Sequence, residues 1–367
     1  MSRLKIVVGL SGGVDSSVAA LRLQQQGYPV SGLFMKNWID FADESECTAI
    51  QDSQDAQAIT HLLGIPFYEA NFSTEYWNQV FEHFLDEYRR GHTPNPDILC
   101  NREIKFKVFL NYALALGYDL IATGHYARIE HSKERYHLLK GQDKNKDQSY
   151  FLYTLNQKQL SHTLFPLGDL KKPEVRHIAA TAQFPNYNKK DSTGICFIGE
   201  RRFKEFLSRY LPAQPGDILT PEGEFIGKHD GLMYYTLGQR QGLGIGGRKN
   251  SSGNPWFVVG KNLMQNALYV AEDNPHYWLR SQTLQANQLH WIAGKSPAFP
   301  YRCAAKIRYR QADQACTLTE ITHDSIQVTF DLTQYAATPG QAIVFYQNDE
   351  CLGGGTIITT NALGLLL

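Results

Sequence analysis

The chain has 367 residues, more than one hydrophobic core usually organises, and its 43% hydrophobic and 20% charged content is that of a globular protein of two or three domains. Its 36 basic and 36 acidic side chains cancel, so net charge alone does not point to nucleic acid. No run of about 18 apolar residues exists, which excludes a membrane-spanning helix, and the N-terminus lacks a signal-peptide pattern, so a cytoplasmic protein with no membrane partner is expected.

Leu4 to Leu10 is a short apolar, β-branched run, as in a strand covered on both faces. A helix with Val14, Val18, Leu21 and Leu23 follows and stops at Gly27. Val30–Met35 reads as a strand, residues 52–63 as a helix stopped by Gly64, and Ile65–Ala70 as another strand. Tyr76, Trp77, Val80, Phe81, Phe84, Leu85 and Tyr88 recur at helical spacing, an aromatic stripe read as core. After a helix around 103–116, Asp119–Thr123 is a further buried strand. Such alternation predicts right-handed crossovers and an α/β, doubly wound parallel sheet. Ligands bind such sheets beyond the carboxyl ends of the strands, here Ser11-Gly12-Gly13, Met35 and Gly124-His125.

From about residue 210 prolines, glycines and short β-like runs replace the helices. Beyond 280 the segments 302–310, 315–321, 325–330, 342–346 and 355–358 read as strands of a small barrel. The expected domains are 1–208 (catalytic), 209–278 (central, connecting) and 279–367 (C-terminal β-barrel). Charge is unevenly spread: residues 37–100 carry a net −10 and residues 101–210 a net +8, which permits a basic face.

The most specific signal is Gly9-Leu10-Ser11-Gly12-Gly13-Val14-Asp15-Ser16-Ser17, a strand entering a glycine turn and then a helix. Backbone N–H groups and the helix dipole there form a phosphate site. The Gly-Lys-Ser/Thr ending of the Walker loop is absent, and Asp15 with its hydroxyl neighbours suits a metal-bound pyrophosphate. The stretch resembles the PP-loop of ATP pyrophosphatases, which implies ATP, and with it Mg2+, as cofactors. A second run, Gly242 to Gly247, fits G-x-G-x-x-G but lies outside the strand–helix alternation and reads as a loop.

The six cysteines are widely spaced, with no Cys-x-x-Cys pair, so neither a disulfide scaffold nor a protein-held metal site is expected. Cys100 follows Thr93-Pro94-Asn95-Pro96-Asp97 near an expected helix start, where its thiolate would be favoured. Cys196 follows Lys189 and Lys190, whose charge could favour a thiolate too.

The chain resembles the bacterial tRNA-specific 2-thiouridylases over essentially its whole length. The resemblance is carried by Ser11–Ser17, Thr93–Asp97 through Cys100, Ala122–Tyr126, Asn145–Leu152, Asp191–Glu200, Tyr235–Arg240 and Thr338–Gln341. It implies thiolation of the wobble uridine of tRNAs for Lys, Glu and Gln. By that likeness Gly9, Leu10, Ser11, Gly12, Gly13, Val14, Asp15, Ser16, Met35 and Gly124 would hold ATP. Cys196 would carry a persulfide received from a sulfur-donor protein, Cys100 would be the nucleophile that releases sulfur by disulfide formation, and Asp97 would be a general acid/base. Asn95, Pro96, Asp97, His125, Lys146, Asp147, Gln148, Arg308, Tyr309 and Gln341 would contact tRNA. A monomer is expected.

Strand alternation in Lys306–Arg310 predicts Lys306, Arg308 and Arg310 on one face and Ile307 and Tyr309 on the other, a possible phosphate track or simply a solvated face. Two other readings compete: an adenylating amidotransferase sharing the loop, which has no need of both cysteines, and a tRNA-binding protein with a vestigial nucleotide fold. Pyrophosphate release stimulated by tRNA separates a binder from an enzyme.

Overall fold

The computed structural model describes residues 3–38, 48–191, 203–245, 253–272 and 275–366. Its first sheet contains β1 (Ile6–Leu10), β2 (Val30–Lys36), β3 (Phe67–Asn71), β4 (Leu120–Ala122) and β7 (Thr163–Leu164), all parallel, in the order β3-β2-β1-β4-β7. Side chains alternate along these strands between two cores. Val7, Leu33 and Ile121 enter one core; Ile6, Val8, Leu10, Phe34 and Ala122 enter the other. That two-sided burial is why the strands read as continuous apolar runs, and it makes the sheet the expected doubly wound one.

Helices α1 (Val14–Gln25), α2 (Thr48–Leu63) and α7 (Lys172–Thr181) cover one face. The other is covered by α3 (Ser73–Tyr76) and α4 (Glu82–Arg89), joined by a π-helical turn at Trp77–Phe81, and by the Cys100 helix. The aromatic stripe is core, with Tyr76, Val80, Phe81 and Phe84 at most 1% exposed. The helix expected near 103 instead begins at Pro96: α5 (Pro96–Leu99), a π-helical stretch Cys100–Val108 and α6 (Phe109–Ala115) run on without a break.

The central sheet, order β10-β11-β8-β9, contains β8 (Gly216–Leu219), β9 (Phe225–His229), β10 (Phe257–Asn262) and β11 (Ala267–Ala271). Residues 242–245 of the second glycine run lie in neither helix nor strand; the rest of that run is outside the described residues.

The last sheet is antiparallel, with β12 (Arg280–Trp291), β13 (Tyr301–Lys306), β14 (Gln314–Thr322), β15 (Ser325–Tyr335), β16 (Ala342–Gln347) and β17 (Glu350–Thr360). Pairing of β12 with both β15 and β17 closes it into the expected barrel, which leaves no open edge among these six strands. A hairpin that follows β4 in the chain, β5 (Ala127–Ser132) and β6 (Arg135–Lys140), adds to this sheet through Cys351↔Leu138. Sequence patterning indicated neither that hairpin nor β12.

One strand reading is corrected. β13 ends at Lys306, and residues 307–310 turn away, with Arg310 at φ 66°. Lys306 therefore does not share a face with Arg308 and Arg310. It is buried, with Nζ 3.5 Å from Asp147 Oδ2 and 3.7 Å from Asp313 Oδ1. Two carboxylates within reach give the buried lysine partners at the barrel wall.

Candidate active site

The sheet order reverses between β1 and β4, and there the loop after β1 meets Gly124 after β4 and Met35 in β2. Gly12 adopts φ 70°, and a Cβ on it would lie 2.4 Å from the backbone oxygen of Asp52. Only glycine fits that position. Gly13 is the N-cap of α1 and supplies no side-chain cap, so the first helical N–H groups face the crevice. A Cβ on Gly124 would lie 2.7 Å from the Ser16 nitrogen, so β4 and the helix start approach backbone to backbone. The Met35 methyl lies 3.1 Å from where a Cβ of Gly9 would be. The glycine turn after β1, the start of α1, Gly124 and Met35 thus lie at the carboxyl ends of adjacent strands, in a crevice whose backbone donors suit phosphate, while the Leu10 and Val14 side chains turn into the core.

Partly buried charges around the buried Lys172 hold the crevice in shape. Lys172, at the start of α7, donates to both oxygens of Asp15 at 2.7 and 2.9 Å, and lies 2.6 Å from Asp191 Oδ1. The Tyr126 hydroxyl donates to Asp15 at 2.8 Å. Burial first, and then the Asp15 carboxylate, push the Tyr126 phenol far above its usual range, so it remains a donor. Asp191 also takes Lys146 and Arg176. Burial alone would raise its carboxyl, but hydrogen bonds from Lys146 and Lys172 outweigh that and hold it at about 2. Asn186 donates to the Gly12 carbonyl at 3.0 Å and to Ser17 Oγ at 3.1 Å. Lys189, read as able to favour a thiolate at Cys196, holds Asp52 at 2.7 Å and Asp55 at 2.5 Å, and Cys196 lies outside the described residues. Lys172, Arg176 and Asn186 escaped the sequence reading, because a lysine or arginine in an amphipathic helix pattern reads as a solvated face.

The Cys100 helix is started by Asn95, whose side chain accepts from the Asp97 nitrogen at 3.1 Å, with Pro96 in the first helical position. Cys100 therefore lies one turn in rather than at the helix start, and it is 1% exposed. Asp97 and Cys100, three residues apart, share a face. The opposite face, with Ile98, Leu99 and Arg102, borders a cleft of about 400 Å3 against the barrel that Asp97 and Cys100 do not line. The approach to the helix is clamped by the barrel: Gln341 donates to the Thr93 carbonyl at 2.5 Å, and the Thr93 nitrogen to that of Pro339 at 3.4 Å.

The other predicted RNA contacts lie between the crevice and the barrel. His125 is buried beside the Phe106 and Phe165 rings, with Nδ1 2.7 Å from Thr123 Oγ1. Burial, and then the charge of Lys105, hold its imidazole well below the usual range, so the ring is neutral. Asp147 accepts from the nitrogens of Gly141 and Ser149, both at 3.1 Å. Gln148 accepts from the Tyr126 nitrogen at 3.0 Å. Those two side chains are thus engaged in shaping the segment. The Tyr309 ring packs 4.5 Å from Phe151, and exposed Arg308 donates to the Ala336 carbonyl at 2.8 Å. Cys196 lies outside the described residues. No group of three or more His, Cys, Asp or Glu side chains able to hold a metal occurs among the described residues.

Three family models match the chain: a tRNA methyl transferase HUP domain over residues 4–200, a tRNA methyl transferase PRC-barrel domain over 204–272 and an aminomethyltransferase beta-barrel domain over 281–357. The tRNA-specific 2-thiouridylase MnmA of Nitrosococcus oceani is 75% identical over 365 residues, covering 100% of both chains. That of Methylococcus capsulatus is 60% identical over 360 residues, covering 97% of both. Among solved structures, a 4-thiouridine synthetase–RNA complex with bound ATP aligns with 57% of this chain and 50% of that one, at 18% identity and a TM-score of 0.37. With full-length relatives this similar, and one family model spanning more than half of its residues, the chain belongs to the family of tRNA-specific 2-thiouridylases.

Proposed function

We propose that this protein is an ATP-dependent tRNA sulfurtransferase that replaces the 2-oxygen of the wobble uridine with sulfur, in tRNAs for Lys, Glu and Gln. The observation that carries the reading is the meeting of a lysine-free glycine loop, Gly124 and Met35 in one phosphate-suited crevice. ATP, with Mg2+ accompanying it, supplies the adenylyl group that turns the uracil 2-oxygen into a leaving group. The Ser11–Ser16 amides and the start of α1 hold the phosphates. Met35 borders the crevice, and Gly124 leaves room for the backbone approach.

Cys196 carries a persulfide delivered by a donor protein. Its outer sulfur bonds to C2 of the activated uracil, and AMP departs with the C–O electron pair. Cys100, as thiolate, attacks the Cys196 sulfur, releasing thiouridine and leaving a disulfide that an external thiol reduces. Asp97, on the same helix face as Cys100, serves as the general acid/base. Asn95, Pro96, His125, Lys146, Asp147, Gln148, Arg308, Tyr309 and Gln341 form the RNA-facing set. Residues 1–208 carry the chemistry, and 279–367 grip the RNA with help from the β5–β6 hairpin. The protein acts in the cytoplasm as a monomer.

The test is thiolation of unmodified tRNA with ATP, Mg2+ and a persulfide source, read as retarded migration in a mercury-containing gel. A retarded band that disappears in Cys100→Ser and in Cys196→Ser supports the reading. Pyrophosphate release without a band refutes the thiolation and leaves the nucleotide crevice standing.

A further inference from the structure

Asn101 follows Cys100 directly, is 2% exposed, and is given no role in the reaction above. Its Nδ2 donates to the Phe151 carbonyl at 3.1 Å. A carbonyl only accepts, so this contact fixes which way the amide points. Oδ1 consequently faces the other way, is fully buried, and has no hydrogen-bond partner among the described residues. An acceptor left unmet in a buried place costs free energy until a donor arrives.

The position of Asn101 narrows what that donor is. On a helix, residues 97, 100 and 101 fall within one third of the circumference, so Asn101 lies on the face of Asp97 and Cys100 and away from the large cleft. Phe151, which Asn101 holds, packs its ring 4.5 Å from that of Tyr309, and the Tyr309 hydroxyl donates to the Lys146 carbonyl at 3.5 Å. Asn101 is thus on the helix that begins at Asn95–Asp97 and is tied through Phe151 to Tyr309 and, beyond it, to the Lys146 backbone. Cys100 and Asn101 are adjacent in the chain and both buried.

We infer that Asn101 Oδ1 accepts the N3–H of the target pyrimidine, making Asn101 the residue that admits uracil and rejects cytosine. Uracil presents a donor at N3, whereas cytosine presents a lone pair there. The amide cannot rotate to suit cytosine without aiming its own oxygen at the Phe151 carbonyl. The inference rests on the uridine thiolation proposed above.

The experiment uses the full-length protein without ATP and two tRNAs that differ only in a wobble U or C. One hydrogen bond corresponds to a preference for U of about three- to tenfold in Kd. The wild type is expected to show it, and Asn101→Ala to bring the ratio close to one. An equal loss of affinity for both tRNAs in Asn101→Ala, with the ratio unchanged, means that Asn101 only pins Phe151 and overturns the inference. So does a wild type that binds both tRNAs equally. Thiolation of the wobble-U tRNA by the wild type is measured alongside; its absence overturns the proposed function itself, and this inference with it. Thermal melting of each variant identifies a loss of fold.

Discussion

Lys172→Met removes the cation shared by Asp15 and Asp191 while keeping an unbranched apolar stem. The Lys172 side chain is 10% exposed, against 31% for Asp15 and 30% for Asp191, so both carboxylates are left partly desolvated without it. Breaking a buried pair by deleting one partner costs about 3–5 kcal/mol. Asp191 keeps Lys146 and Arg176, and Asp15 keeps the Tyr126 hydroxyl, which brings the expected loss to about 2–4 kcal/mol. With an m-value of roughly 2–3 kcal/mol per molar urea, the midpoint for the nucleotide domain falls by about 1 M. Far-UV circular dichroism measures it. Adding Asp15→Asn to Lys172→Met is expected to recover part of the loss, since the uncompensated charge is gone. A Lys172→Met midpoint within about 0.2 M of wild type refutes the argument that this lysine neutralises buried acids.

Gly124→Ala is expected to abolish nucleotide binding measured by calorimetry, because its Cβ would sit 2.7 Å from the Ser16 nitrogen and push the helix start away. Gly340→Ala places a Cβ 2.6 Å from that of His92 at φ 87°; a loss of at least about 1 kcal/mol by denaturant unfolding, with weaker tRNA binding, is expected as the Thr93 clamp opens. Asp191 titrates near 2 in the fold, below its ordinary value of 3.8. Its contribution to stability is therefore complete above about pH 4 and lost as pH falls toward 2. Acid unfolding of Asp191→Asn, followed by fluorescence, is expected to show a weaker pH dependence across that window.

The strand, glycine turn and helix start from Gly9 to Ser17 were legible because their signal is local. A strand, two adjacent glycines and a helix start need only nine consecutive residues, and the physics that binds phosphate is written in the backbone they form. The parallel sheet was legible for a similar reason: continuous burial on both faces turns each strand into an apolar run. The barrel strands from 302 onward followed from their alternation, although one of them was drawn four residues too long. Arg308 and Arg310 follow Lys306 at strand spacing, and nothing local signals the turn that separates them.

What the sequence determined by itself was four of the five strands of the parallel sheet, the helices that connect them and the glycine turn. Only the tertiary structure decided where the charges went. Asp15 meets Lys172 across 157 residues, Gln341 reaches Thr93 across 248, and Lys306 finds Asp147 inside the barrel wall. In sequence a buried lysine and a solvated one look the same, because what separates them is the distance to a counter-charge, and the fold alone sets that distance.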